Sequence, residues 1–213
     1  MNTKNCVMIT AIGDNPWIVS AKKYLWPIIK KYFNDNGHNA FIIEDSEIKD
    51  YQHPSWLWLN CHKILPNYEY ILTWDLDIVP VNLSDDIFSV IDTTKISALV
   101  EPSYAKWQSQ FPHFKYNMGL CGVPKAYSQF FESIYQKYKH NPFNWPSYEQ
   151  YYNNMEIGQN KIEVQELPRR YASYLGEMDN PTCIHYTAIM SKDKALQYFK
   201  GHYDAIFKQI VQS

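Results

Sequence analysis

Apolar positions begin as a short run over 7–12, rich in Val and Ile and stopped by Gly13-Asp-Asn-Pro16, which is the pattern of a buried strand. Ile18, Ala21, Leu25, Ile28, Ile29 and Tyr32 then recur at helical spacing, with Pro27 expected to kink or interrupt the helix and Asn36-Gly37 to stop it. A second strand follows over 40–43. A second helix is expected over 56–65, opened by Pro54-Ser55 and closed near Pro66. A third strand over 70–74 runs straight into Asp75-Leu-Asp77. Three strand–helix units in a row predict an α/β fold whose central sheet is mostly parallel and covered by helices. Ligands of such sheets gather beyond the carboxyl ends of the strands. Gly13-Asp14, Glu44-Asp45 and Asp75–Asp77 should therefore share one rim.

The second half is less regular. The pattern predicts strands over 96–100, 117–123, 161–166 and 182–186, helices over 125–139 and 147–155, and a helical region from Lys192 onward. No internal repeat, flexible linker or composition shift divides the 213 residues, so one domain over 1–213 is expected.

Composition narrows the function classes. The chain is 46% hydrophobic, 16% aromatic and 20% charged, as folded proteins are. A formal net charge of -2 provides no basic field for nucleic acid. Cys6, Cys61, Cys121 and Cys183 form no Cys-x-x-Cys pair, which argues against a zinc clip and against a disulfide framework. Reduced thiols in a cytosol-like compartment are expected. No apolar stretch approaches the roughly 20 residues of a membrane span, and the N-terminal apolar run is too short for a signal-peptide core. A soluble, intracellular chain is the expectation.

The chemistry concentrates at Asp75 and Asp77. Residues two apart in a strand face the same way, so both carboxylates can converge while Leu76 turns to the other side. Such a pair after a buried strand is unfavourable, because like charges repel and desolvation adds to the cost. A divalent cation reverses that sign, and oxygen ligands suit Mg2+ or Mn2+. The plain alternative is a solvated turn; the preceding strand and the sheet order favour the cation. His185, within Cys183-Ile-His-Tyr-Thr187, is either a packed core histidine or a nitrogen ligand that would favour Mn2+.

Four segments together resemble the GT-A-fold nucleotide-sugar glycosyltransferases, including those similar to glycogenin and to galactosyltransferases. They are the stretch from Lys63 through Asp75-Leu-Asp77, Tyr116-Asn117-Met118-Gly119-Leu120, Glu149-Gln150 and Ile184-His185-Tyr186. Overall the chain also looks like a small glycosyltransferase domain of chlorella-virus type. The resemblance implies a Rossmann-like GT-A domain with a nucleotide-binding half over about 1–100 and an acceptor-side half over about 101–213. It implies Mn2+ or Mg2+ held by Asp75, Asp77 and His185. A UDP-sugar donor, such as UDP-glucose or another hexose or deoxyhexose, and a glycan or glycoprotein acceptor follow from it. A cytoplasmic place is expected, in a host cell if the chain is virus-encoded.

Residue by residue, the resemblance assigns Thr10, Ala11 and Ile12 to the nucleoside floor. It assigns Glu44 and Asp45 to ribose or base contacts, and Lys63 and Lys192 to the phosphates. Asp75 and Leu76 fall on the donor, and Asn117 on the sugar or acceptor. Glu149, or secondly Asp179, would be the base of an inverting enzyme. Trp56, Trp58, Trp107 and Trp145 offer stacking faces for a sugar, although large aromatics mostly serve as core. Three rivals stand beside this reading. One is a haloacid-dehalogenase-type phosphatase with Asp75 as nucleophile and Asp77 as general acid; its motif normally sits on the first strand. A second is a sugar nucleotidyltransferase, although Ala11-Ile-Gly-Asp-Asn-Pro16 lacks the Gly-rich basic loop expected near its N-terminus. The third is a carbohydrate-binding or scaffold module without turnover.

Overall fold

The computed structural model describes residues 4–144, 148–186, 197–201 and 203–205. Strand β1 (Asn5–Thr10) leads to α1 (Pro16–Tyr24) and α2 (Trp26–Asp35). The expected single helix is thus two, because Pro27 cannot donate into the preceding turn and instead sits at the start of α2. After β2 (Asn39–Ile43), the chain winds as a 3-10 helix (Pro54–Asn60) that passes into α3 (Cys61–Ile64). Strands β3 (Tyr70–Trp74), β4 (Ile78–Pro80) and β5 (Ile96–Val100) follow. Then come α4 (Tyr104–Trp107), β6 (Tyr116–Pro124), α5 (Ser128–Tyr138) and α6 (Glu149–Gln159). Short strands β7 (Val164–Glu166), β8 (Ser173–Tyr174) and β9 (Cys183–His185) complete the labelled elements, and residues 197–201 and 203–205 are helical. The helical expectation from Lys192 onward lies otherwise outside the described residues.

The main sheet has the order β2-β1-β3-β6-β5-β7. Strand β1 runs parallel to β2 and β3, and β5 parallel to β7, but β6 is antiparallel to both its neighbours. The sheet is therefore mixed. The strand–helix rhythm of the first 74 residues does predict the parallel part, whereas the reversal at β6 leaves no mark in local periodicity. Its two faces bury separate cores. Val7, Ile9, Leu72 and Trp74 pack toward α1 and α2, while Cys6, Met8 and Ile71 pack toward the 3-10 helix and α5, as strict alternation demands. All four cysteines are buried and free.

A second sheet, β4-β9-β8, was not anticipated beyond its one late strand. Its strands are two or three residues long, too short for periodicity to reveal. It matters because Ile78 pairs directly with His185.

Gly122 on β6 lies against a buried hydrogen bond of 2.6 Å between Tyr70 OH and Ser97 Oγ. A Cβ there would overlap both groups. Gly122→Ala is expected to cost at least about 1–3 kcal/mol, the usual range for overpacking, read as an earlier midpoint in urea unfolding.

Candidate metal and nucleotide site

Strand β3 delivers Asp75 to the carboxyl edge of the sheet, where its N–H donates to Gly119 O at 2.7 Å. The chain then turns, with Ile78 N–H donating to Asp75 O at 3.0 Å. Trp74 closes that turn by donating its indole N–H to Ile78 O at 2.8 Å. This turn, and not strand alternation, makes the two carboxylates converge. Leu76 is buried and lines both core and cavity. On the far side, the β4–β9 pairing and a Tyr186 N–H to Asp77 O bond of 3.0 Å bring His185 alongside.

One ligand atom from each of Asp75, Asp77 and His185 lies within 4.8 Å of the others. His185 Nε2 is 3.5 Å from Asp77 Oδ1 and 3.9 Å from Asp75 Oδ2. Neither is a hydrogen bond. The spacing is near that of ligands sharing one small cation, which sit about 3 Å apart when bound at about 2.1 Å and right angles. Burial, then the charge of Asp77, raises the Asp75 carboxyl to about 6, with His185 opposing. Asp75 is nonetheless 58% exposed, so its carboxylate is ringed by protein yet open to the cavity. Two oxygens and one imidazole nitrogen fit Mn2+ or Mg2+, and the nitrogen leans toward Mn2+.

The cluster floors a cavity of about 410 Å³. Thr10, Ala11 and Ile12 line it from the end of β1, and Glu149 faces it from the start of α6. Thr10 Oγ1 is buried without a partner, leaving it available to a ligand. Burial and then the charge of Asp75 push the Glu149 carboxyl up to about 7. Among the described residues that line the cavity there is no lysine or arginine, against three carboxylates.

Several expected residues are not brought here. Lys63 pairs with Glu132 on α5 at 2.5 Å and borders a different hollow. The 3-10 winding of 54–60, where an α-helix was expected, redirects the side chains that follow it. Glu44 pairs with Lys22 at 2.7 Å and Asp45 with Lys49 at 2.8 Å; neither lines the cavity. Asp179 is exposed between β8 and β9, away from the cavity lining. Asn117 is buried beside the site and accepts from Gly119 N at 3.0 Å. Trp56 is fully buried core, while Trp58 both packs on Phe131 and lines the cavity. Lys192 and Trp145 lie outside the described residues.

One strand-end carboxylate beside the site was missed. Glu101, 9% exposed, ends β5 as Asp75 ends β3. It accepts from Ser103 Oγ at 2.8 Å, Asn117 Nδ2 at 3.1 Å and Tyr174 OH at 3.2 Å. A strand-end carboxylate after 96–100 was the available signal. Gly119 lies in the 116–120 segment that carries the resemblance, and the structure gives it a role of its own: a Cβ there would overlap the Asp75 carboxylate.

By sequence, no protein-family model matches the chain and no curated protein matches it. Solved structures do match in fold. A glycosyltransferase involved in glycosylation of the major capsid of PBCV-1 matches with a TM-score of 0.68 at 16% identity, over 92% of this chain and 99% of that one. Glycosyltransferase GlyE of Streptococcus pneumoniae TIGR4 gives 0.59 at 12% identity, over 98% of this chain and 64% of that one. A Drosophila β1,4-galactosyltransferase 7 variant, complexed with manganese, UDP-Gal and xylobiose, gives 0.50 at 13% identity, over 86% and 71%. The architecture is thus the GT-A fold of glycosyltransferases, as the sequence resemblance implied. No helix of the described residues is long and apolar enough to cross a membrane.

Proposed function

We propose that this chain is a metal-dependent glycosyltransferase that moves a sugar from a UDP-sugar to a hydroxyl of a glycan or glycoprotein. The observation that carries the reading is the convergence of Asp75, Asp77 and His185 on one point at the strand ends of a GT-A fold. Asp75, Asp77 and His185 would hold a divalent cation. When bound, Mn2+ or Mg2+ supplies Lewis-acid stabilisation of the charge building on the leaving diphosphate. Thr10, Ala11 and Ile12 bind the nucleoside, and Thr10 Oγ1 offers its unpaired hydroxyl to it. Glu149 takes the proton of the acceptor hydroxyl, its raised pKa of about 7 suiting a base at neutral pH. Buried free thiols fit a reducing compartment such as the cytoplasm, of a host cell if the chain is viral. The phosphatase rival has less support, because an imidazole beside both aspartates completes a ligand set rather than freeing Asp75 as a nucleophile.

The described lining residues hold three carboxylates and no lysine or arginine, so a bound cation would offset the diphosphate charge. Calorimetry with UDP should show binding at least about tenfold tighter with manganese than without, about 1.4 kcal/mol, in the wild type. Asp77→Asn should lose that gain. UDP binding that ignores the metal, or equal affinity for inorganic phosphate, would sink the donor-site reading.

A further inference from the structure

Glu149 opens α6, yet what holds its carboxylate comes from ninety residues earlier. In a 3-10 helix, positions three apart eclipse one another. Ser55 and Trp58 therefore share one side of the helix Pro54–Asn60, and both line the cavity with Glu149. Ser55 Oγ donates to Glu149 Oε2 at 3.3 Å. Trp58 is 7% exposed, and its indole N–H has no well-aligned acceptor. It lies within reach of the same carboxylate, and it and Ser55 both pull that group's pKa down against the effect of burial. Ser55 is itself fixed from behind. Its Oγ lies 2.8 Å from His53 Nδ1; in the tautomer protonated at Nδ1 the ring donates to Oγ and the hydroxyl hydrogen is left for Glu149. The His53 ring is in turn stacked on Phe143 at 3.9 Å and 7°.

We propose that Ser55 and Trp58 are positioning residues that hold the Glu149 carboxyl turned into the cavity; the proposal rests on Glu149 being the proton-accepting group. A hydroxyl that donates to the carboxylate and an indole N–H within reach of it favour its charged form and restrict its rotamer. Neither donor touches the metal cluster, so donor and cation binding should not depend on them.

Three variants test this by following UDP release from a UDP-hexose with manganese. Ser55→Ala and Trp58→Phe should each lower kcat about tenfold or more, as loss of one hydrogen bond to a charged group implies, with the donor KM unchanged. Ser55→Thr, which keeps the hydroxyl, should restore the rate. A readout free of activity comes from nitrogen–proton NMR: the indole resonance that disappears in Trp58→Phe should shift in Glu149→Gln. Wild-type kcat in Ser55→Ala and Trp58→Phe, a Ser55→Thr as slow as Ser55→Ala, or an unmoved indole resonance would each overturn the proposal. Full transfer by Glu149→Gln would instead remove the base reading, a separate result from the state of the indole contact.

Discussion

Replacing Glu149 by Gln is expected to lower sugar transfer about 10²–10⁴-fold, the usual contribution of a positioned general base, while leaving manganese-dependent UDP binding intact. The amide keeps the shape of the side chain but cannot take a proton. The pH profile adds a sign. Glu149 must be ionised to act, so the rate should fall as pH drops below a value near 7. A bound cation cancels the repulsion from Asp75, so the limb seen with metal should lie below that value. Stability should move the opposite way. A carboxyl raised from about 4.5 to about 7 stabilises the fold while protonated, and that contribution is lost as pH rises through about 7. At pH 8 the metal-free Glu149→Gln protein should therefore melt a few degrees higher than the wild type. An inactive but stabilised variant separates a catalytic role from damage to the fold. Unchanged transfer with unchanged UDP affinity would show that the proton goes elsewhere.

How much of this was legible follows from the range over which each signal acts. Strands of five or six apolar residues such as β1, β2 and β3 announce themselves locally, and so did the acidic pair that ends β3. His185 could be singled out because the apolar run around it stood out, yet its contact with Asp77 depends on the pairing of Ile78 with His185, a hundred residues away. Nothing local encodes that register. Lys63 shows the converse. Its place before the strand matched the resemblance, but a 3-10 turn in front of it sends its ammonium to Glu132. Glu44 and Asp45 sit on the expected rim, where nearby lysines take them up. Ser55 escaped notice because its importance is a tertiary contact with Glu149, and serine after proline reads simply as the start of a helix.

Gly119→Ala should weaken metal binding at least about 10–100-fold without unfolding the protein. The residue lies inside β6, a strand flanked on both sides, and its carbonyl is tied to Asp75 N at 2.7 Å, so the backbone cannot retreat. A Cβ would overlap the Asp75 carboxylate and press on Asn117 Oδ1 at 3.0 Å. The side chain that can yield is Asp75, which is exposed enough to rotate out into the cavity. Rotation takes its oxygen away from His185 and Asp77 and removes one ligand of three. Manganese affinity, read by electron paramagnetic resonance of free Mn2+, should fall at least about 10–100-fold, as when a contact that orients a ligand is lost. Asp75→Ala should produce a similar loss, and the double variant no more than either alone, since both act through one carboxylate. Gly122→Ala provides the control. Three positions along the same strand, its Cβ points to the opposite face and meets Tyr70 and Ser97 in the core instead. It should lower stability and leave manganese affinity in the folded protein unchanged. If Gly119→Ala behaved like Gly122→Ala, losing stability but keeping the metal, then the missing side chain at 119 would serve the packing of β6 and not the placement of Asp75.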